Sequence, residues 1–262
     1  MNKLFKLAGV SVAALSAALY ASSVTKTMAE DITKASDADG FTKVKLNTSS
    51  DVKISMGKEF SVVMTGDDKK INDTILVVKR DTLIIKYKNE DRNHRYDRDQ
   101  EMLVTIVMPH IEEMKINGSG DVDVTGVDNE ELALNINGSG DLNVEGKSER
   151  LDIGINGSGD ISMDMVDGKD IDIGINGSGN VELGGGTCQS LEISINGSGD
   201  VEAENVQCVD VDVSVSGSGD SSVYASNSLT FDSHGSGEID VYGKPKTVVD
   251  KEAKRRSNIT IR

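Results

Sequence analysis

The stretch Ile155-Asn156-Gly157-Ser158-Gly159-Asp160 is repeated along residues 116–238 of this 262-residue chain. The steps between successive copies are 20, 19, 20, 20, 20 and 18 residues. Self-similarity at a short fixed period indicates a stack of like units, none of which can bury its own apolar face. The other copies begin at Ile116, Ile136, Ile175, Ile195 and Val215, with a degenerate copy at Ser233.

Apolar and polar residues alternate strictly on both sides of each copy, which is the periodicity of a strand and not of a helix. In the unit at 151–165, Leu151, Ile153, Ile155, Ile161 and Met163 fall on the inward side, whereas Asp152, Gly154, Ser162 and Asp164 fall outward. The turn glycines are expected to take positive φ, which residues with a β-carbon resist.

A unit of this length could also form two antiparallel strands of an outer-membrane barrel. Such a barrel needs an apolar outer band and aromatic girdles, whereas these outward positions carry Asp, Ser and Gly and aromatics make up only 3% of the chain. Parallel stacking explains the repeated stretch better, because equivalent residues of successive coils then form columns with a spacing of about 4.8 Å. We therefore predict an all-β fold, a single-stranded right-handed parallel β-helix (solenoid) with an irregular N-terminal β section; the hand follows from the rule for parallel crossovers.

The two cysteines provide an independent test of this register. Cys188 and Cys208 each lie eight positions before the Asn-equivalent residue of their repeat, so they occupy one column on adjacent coils. A spacing of about 4.8 Å lies within the Cα range of disulfides. We predict a Cys188–Cys208 disulfide, with two reduced buried thiols as the alternative.

Residues 1–29 are predicted to be a secretory signal peptide. Lys3 and Lys6 precede an apolar stretch at 7–21, and cleavage is expected after Ser23 or Ala29. The apolar stretch is short for a membrane span, which needs about 20 residues. The protein is therefore expected to be exported, to the periplasm, the cell surface or the medium, without a membrane span.

The rest of the chain divides into three predicted segments: an N-terminal β section at 30–115, regular repeats at 116–243, and a basic turn with a capping strand at 244–262. The first segment holds a copy of the repeated stretch without glycines at 46–52, so degenerate coils begin there. It also holds β-rich runs at 60–64, 75–78, 82–87 and 102–108, polar turns at 66–68 and 79–81, and a charged loop at 88–101.

Charge narrows the choice of partners. The net charge is −16, and residues 116–243 hold 25 acidic residues but only Lys147, Arg150 and Lys169 as basic ones. Removing residues 1–29 would leave 25 basic against 44 acidic residues, a net charge of −19. Such a surface repels nucleic acid and attracts cations or basic partners.

The repeated stretch and its lead-in resemble the head GIN domain family of auto-transporter adhesins, from about residue 40 to the C-terminus. The resemblance implies a right-handed β-helical, exported protein of a Gram-negative bacterium, and it brings no catalytic residues. The lead-in residues that carry it are Phe41-Thr-Lys-Val44, Val52-Lys-Ile54, Phe60-Ser-Val62 and Thr82-Leu-Ile-Ile85.

Two acidic columns are candidate cation sites, because stacked carboxylates repel one another and a hard cation such as Ca²⁺ would relieve that repulsion. The alternative is that each Asp accepts backbone N–H bonds in its turn. The spacing also differs from the nine-residue calcium-binding repeat. The first column is Asp121, Asp141, Asp160, Asp200 and Asp220, interrupted by Asn180; the second is Asp152, Asp172, Glu192 and Asp212.

Three further residue sets are expected to be structural. Stacked Asn amides can hydrogen-bond from rung to rung, the repeated Ser residues offer no unique nucleophile beside a base, and no metal-ligand spacing links the His residues. The sets are Asn117, Asn137, Asn156, Asn176 and Asn196; Ser119, Ser139, Ser158, Ser178, Ser198 and Ser218; and His94, His110 and His234.

The sequence therefore favours an exported, non-catalytic, adhesin-like binding or structural protein of the bacterial cell envelope. No cofactor is expected, and Ca²⁺ is the candidate if the acidic columns bind a cation. The expected partner is an envelope protein or polysaccharide, and self-association through an open end of the coil is a further expectation. One alternative is an envelope Ca²⁺-binding β-helix. A second is a polysaccharide-acting enzyme, which would need a non-repeated cluster of carboxylates with Lys or Arg in a groove.

Overall fold

A parallel β-solenoid of about seven turns forms the body of the protein. The computed structural model describes residues 31–88, 101–251 and 258–262. The predicted signal peptide, His94 and positions 89–100 of the predicted charged loop lie outside the described residues. Within those ranges, no helix has the length and apolar character that crossing a membrane requires.

The elements fall into three groups along the chain. The N-terminal group is β1 (Asp31–Ser36), β2 (Lys43–Asn47), β3 (Asp51–Met56), β4 (Ser61–Asp67), α1 (Asp68–Asp73), β5 (Thr74–Lys79), β6 (Thr82–Tyr87), β7 (Met102–Met108) and β8 (Glu113–Ile116). The regular coils are β9 (Val122–Gly138), β10 (Leu142–Gly157), β11 (Ile161–Asp167), β12 (Asp170–Gly177), β13 (Val181–Leu183), β14 (Gly186–Gly197), β15 (Val201–Gly217) and β16 (Ser221–Ser233). The C-terminal group is β17 (Ile239–Tyr242), β18 (Thr247–Asp250) and β19 (Ile259–Ile261).

The regular coils pair in parallel, one repeat with the next. Ile155 of β10 is aligned with Ile136 of β9 on one side and with Ile175 of β12 on the other. The same register continues through β14 and β15. The predicted parallel β-helix with coils of about 20 residues is confirmed, and the antiparallel alternative is wrong for these repeats.

Columns of aliphatic side chains fill the interior. The five side chains predicted to point inward in the unit at 151–165 are each at most 2% exposed. Burying an aliphatic side chain of this size stabilises a fold by roughly 1.5–3 kcal/mol. A long aliphatic core therefore replaces the aromatic bulk that this chain lacks.

The two glycines of each repeated turn have different roles. In the five turns from Gly138 to Gly217 the first glycine takes positive φ, as at Gly157 with φ +146°. The second lies outside that range, so the expectation of positive φ is wrong for it. A β-carbon at Gly159 would lie 2.1 Å from the carbonyl oxygen of Gly140 and 3.1 Å from Cγ2 of Ile136. The second glycine is thus required by the close approach of the neighbouring coil.

The order of the coils in the stack differs from their order in the chain. The first coil in sequence, β2 and β3, pairs with β8 and β9 on one side and with β6 and β7 on the other. Leu46 is aligned with Ile116, and Val52 with Val122. The degenerate copy at 46–52 therefore lies directly against the first regular copy.

Antiparallel strands close the N-terminal end of the stack. β5 pairs with β6, β4 pairs with β7, and β1 pairs with β4. Between β4 and β5, α1 places Ile71 in the core with no exposed surface. The carboxylate of Asp67 accepts the backbone N–H groups of Lys69 and Lys70 at 3.0 and 3.2 Å and caps the helix. The polar turn predicted at 66–68 is wrong, because Gly66 and Asp67 end β4 and Asp68 begins α1. The sequence does not reveal this helix, since six residues are too few to show a helical period.

The C-terminal strands add rungs to the ladder. β17 and β18 pair in parallel with the first and second halves of β16, and β19 pairs in parallel with β17. The strand expected to cap the open end therefore extends the stack. Among the described strands, none pairs with the outer edge of β18 or of β19.

Candidate functional site

The Asn column forms an amide ladder along one edge of the solenoid. From Asn117 to Asn176, each Nδ2 group donates to the Oδ1 atom of the Asn one coil below, and the ladder reaches down to Asn47 in the degenerate copy. Asn196 is in register above Asn176. The donor–acceptor distances are 2.7 Å for Asn117 to Asn47, 3.0 Å for Asn137 to Asn117, 3.2 Å for Asn156 to Asn137 and 3.3 Å for Asn176 to Asn156.

The Asp column performs a related task in the turns. One oxygen of each carboxylate accepts the backbone N–H of the equivalent residue one coil on. The distances are 3.0 Å from Asp141 N to Asp121, 3.0 Å from Asp160 N to Asp141, 2.7 Å from Asn180 N to Asp160, 3.0 Å from Asp200 N to Asn180, and 2.8 Å from Asp220 N to Asp200. Within the described ranges, no group of three or more His, Cys, Asp or Glu side chains is placed to hold a metal ion.

Asp160→Asn is expected to leave the free energy of unfolding nearly unchanged, because an amide oxygen can accept the same N–H bond. Asn180 already does so for Asp200 within this chain. Asp160→Ala removes the acceptor and is expected to cost about 1 kcal/mol. Denaturant unfolding of both variants, in EDTA and in Ca²⁺, checks this prediction. A Ca²⁺-dependent stabilisation that Asp160→Asn abolishes would contradict it and favour a metal site.

The two cysteines form the disulfide Cys188–Cys208, with a Cα–Cα distance of 4.4 Å. They are directly aligned on β14 and β15, and both side chains are buried. The two side chains therefore lie at bonding distance between adjacent coils inside the core, as the predicted disulfide requires.

An open groove of about 970 Å³ runs along one side of the stack, and we call it the acidic groove. Two rows of side chains line it from one coil to the next. Most of them are carboxylates, and Lys43 and His110 lie at its N-terminal end. The first row is Glu131, Arg150, Asp170 and Ser190; the second is Asp152, Asp172 and Glu192.

Sequence reasoning identified the second row of the acidic groove and missed the first. The members of the first row vary in type, so they do not stand out as a repeated letter. Their common position would have identified them, because each directly precedes the first apolar residue of its repeat. Residues at a fixed offset from the repeat are brought into one row by the parallel register.

The two long cations of the acidic groove are held by carboxylates. Arg150 donates through Nε to Oε1 of Glu131 at 2.9 Å, and this bond raises the pKa of Arg150 above its ordinary value. Nζ of Lys43 lies 2.9 Å from Asp81, whose hydrogen bond raises the pKa of Lys43; the pKa of Asp81 is lowered in turn. The groove thus contains the combination of carboxylates with Lys and Arg that a polysaccharide-acting enzyme would need, but Lys43 and Arg150 are already paired with carboxylates.

Asp172 is a carboxylate of the acidic groove whose ionised form is disfavoured by its surroundings. Partial burial raises its pKa above the ordinary value, and the neighbouring carboxylate of Asp152 raises it further. Asp152 and Asp172 are directly aligned on adjacent strands. Like charges directly opposite one another destabilise a sheet, so the ionised form of Asp172 opposes folding.

Asp172→Asn is expected to stabilise the protein at neutral pH by less than about 1 kcal/mol, since the site is partly solvated. A raised folded-state pKa means that the folded protein binds more protons, so stability falls as pH rises through the interval between the unfolded and folded pKa values. The gain should therefore be complete above the folded pKa and vanish below the unfolded value of about 3.9. Melting curves across this pH range check the sign. Asp152→Asn should give part of the same gain, and the double variant less than the sum.

The remaining candidates are not gathered into one centre. Nε2 of His110 lies 4.0 Å from Glu112 at the end of the acidic groove, whereas Nδ1 of His234 lies 3.4 Å from Asp232 in the last repeat. The Ser residues form turns through their backbone, as Ser158 N donates to Gly138 O at 2.9 Å. The two His residues thus make surface contacts, and the Ser residues form the turns.

Comparison with known proteins supports the fold. A family model described as "Putative auto-transporter adhesin, head GIN domain" matches residues 40–159 and again 133–245. No curated protein matches the chain.

Several solved structures of low sequence identity have a similar fold. A "putative lipid binding protein" from Parabacteroides distasonis aligns with TM-score 0.75 and 23% identity over 88% of this chain and 96% of its own. A "putative adhesin" from Parabacteroides merdae gives 0.73 and 17% over 88% and 95%. A second "putative adhesin" from Parabacteroides distasonis gives 0.73 and 18% over 89% and 97%. At these identities the likeness concerns the fold alone.

Proposed function

The chain belongs to the family described as "Putative auto-transporter adhesin, head GIN domain", and from this membership we propose that it is an exported, non-catalytic, adhesin-like binding protein of the bacterial cell envelope. The observation that carries the proposal is the acidic groove, an elongated surface that presents carboxylates on successive coils. Adhesins bind partners outside the cell, and a long groove on a rigid solenoid suits an extended partner.

The charge of the acidic groove selects the partner class. Its rows are formed mainly by Asp and Glu, and Arg150 and Lys43 are already paired with carboxylates. A segment rich in Lys or Arg would complement this surface, steer association at low salt and lose affinity as salt is raised. We therefore take the ligand to be a basic segment of an envelope protein. Binding of an envelope polysaccharide is the other outcome of the test.

The stability cost of Asp172 also supports a binding role. The carboxylate of Asp172, whose ionised form opposes folding, occupies a position where the fold alone would favour a neutral residue. Such costs are typical of functional positions. A basic partner would relieve the repulsion between Asp152 and Asp172.

Export is supported by the predicted signal peptide and by the Cys188–Cys208 disulfide, since disulfides persist in oxidising compartments. The absence of catalysis is supported by the pairing of Arg150 and Lys43 with carboxylates and by the origin of the second row, Asp152, Asp172 and Glu192, in one repeated column.

The test measures binding of the mature protein to envelope proteins and, separately, to envelope polysaccharides. The groove variant is Asp152→Asn/Asp172→Asn/Glu192→Gln. Its matched control, Asp123→Asn/Glu182→Gln/Glu202→Gln, removes the same charge from exposed positions outside the groove. We expect the groove variant to bind basic envelope proteins at least about tenfold more weakly and the control to bind normally. Equal loss in both, binding to neither fraction, or turnover of anionic glycans would contradict the proposal.

A further inference from the structure

The exposed apolar side chains of the protein are concentrated at its C-terminal end. Among the described residues, four large hydrophobic side chains are strongly exposed, and three of them belong to β18 and β19. Their exposed fractions are 39% for Val248, 45% for Val249 and 55% for Ile261; the fourth, Met165 at 48%, lies alone on the side of the solenoid.

Two of these side chains occupy core positions of the ladder. Val248 is aligned with Leu229, and Ile261 with Val241, both of which are fully buried. They continue the inward columns of the solenoid, so they are exposed because no described strand lies on the next rung. The end thus presents the same apolar columns and the same backbone ladder that join every pair of coils within the chain.

The opposite end of the stack does not offer a matching surface. There the core is covered by α1 and by the antiparallel strands β1, β4 and β5. None of the strongly exposed large hydrophobic side chains lies in residues 31–88. Head-to-tail stacking would therefore place an apolar end against one that has no strongly exposed large hydrophobic side chain among residues 31–88.

The C-terminal end has the shape of a step. Two strands, β17 and β19, lie above the first half of β16, whereas β18 alone lies above its second half. A twofold axis perpendicular to the stack places the higher side of one copy over the lower side of another. It also reverses the strand direction, so the strands that meet are antiparallel, a pairing that sheets accept readily.

We propose that two copies of the chain associate through this C-terminal end, with β19 of each pairing antiparallel to β18 of the other. This continues the backbone ladder by one rung on each side and covers Val248 and Ile261. An interface of this kind uses the same surface on both copies and closes as a dimer. Its apolar core makes it insensitive to salt, unlike the contact expected of the acidic groove.

Sedimentation velocity of the mature full-length protein over a range of concentrations tests the proposal. We expect a dimer that persists when salt is raised. Val248→Glu and Ile261→Glu should each raise the dimer dissociation constant by about 100-fold or more, because they bury a charge in the contact. Met165→Glu is the matched control and should leave the dimer intact. A monomer at all concentrations, or equal loss in all three variants, would overturn the proposal.

Disulfide trapping separates the stepped arrangement from the alternatives. The chain has two cysteines, and both are in the native disulfide. Mixing a Val248→Cys variant with an Ile261→Cys variant should yield a cross-linked dimer under oxidising, non-reducing conditions, whereas each variant alone should not. Efficient cross-linking of Val248→Cys with itself, or a series of higher oligomers, would contradict the twofold step.

Discussion

Gly177→Ala is expected to lower the free energy of unfolding by about 3–5 kcal/mol, the largest effect of a single substitution proposed for this chain. Gly177 is the first glycine of its turn and has φ +141°. An added β-carbon would lie 2.1 Å from the carbonyl oxygen of Gly157 on the coil below. Backbone strain and this overlap act together, and the overlap can be relieved only by separating two coils.

Gly168→Ala is the matched control for this prediction. Gly168 has φ +134°, but a β-carbon there would meet nothing within 4 Å. Its cost should be that of backbone strain alone, about 1–3 kcal/mol. Denaturant midpoints of the two variants, with circular dichroism to monitor the strands, measure the difference. Equal destabilisation of Gly168→Ala and Gly177→Ala would show that the close approach of the coils has no energetic role.

Removal of the Cys188–Cys208 disulfide is expected to cost about 3 kcal/mol, because the bond closes a loop of 20 residues in the unfolded chain. The variant Cys188→Ala/Cys208→Ala should therefore unfold at a lower denaturant midpoint. The strands should remain, because the ladder between β14 and β15 extends well beyond the two cysteines.

Reducing agent separates the contribution of the bond from that of the side chains. Reduction under conditions that expose the bond should destabilise the unmodified protein by a similar amount and leave the double Ala variant unchanged. An unmodified protein that unfolds identically with and without reductant would contradict the prediction. A double variant that responds to reductant would show that another effect had been measured.

Much of this fold could be predicted from the sequence because a solenoid is built from contacts between successive repeats, which follow one short sequence pattern. The period of about 20 residues and the alternation around each turn determine which side chains point inward. Stacking then places equivalent residues in columns, so the alignment of Cys188 with Cys208 follows from counting alone. The parallel β-helix and the disulfide are both of this kind.

The role of the second turn glycine required the structure. From the sequence, both glycines of the turn are expected to take positive φ. At Gly159, however, glycine is required because a β-carbon would overlap the carbonyl oxygen of Gly140 in the neighbouring coil. The acidic groove is similar, because its first row combines residues of unlike type, such as Glu131, Arg150 and Asp170, which share only their offset in the repeat.

What the sequence by itself determined is thus the coil, its inward columns and the pairing of its cysteines, since each depends on periodicity within one or two repeats. Only the tertiary structure decided the order of the coils, the closure of one end and the exposure of the other. The Asn117–Asn47 bond joins residues 70 positions apart in the sequence. The intervening strands β6 and β7 lie on the other side of β2 and β3, the coil that precedes them in the chain. Such contacts depend on which distant segments bury each other's apolar faces, and no local pattern records that choice.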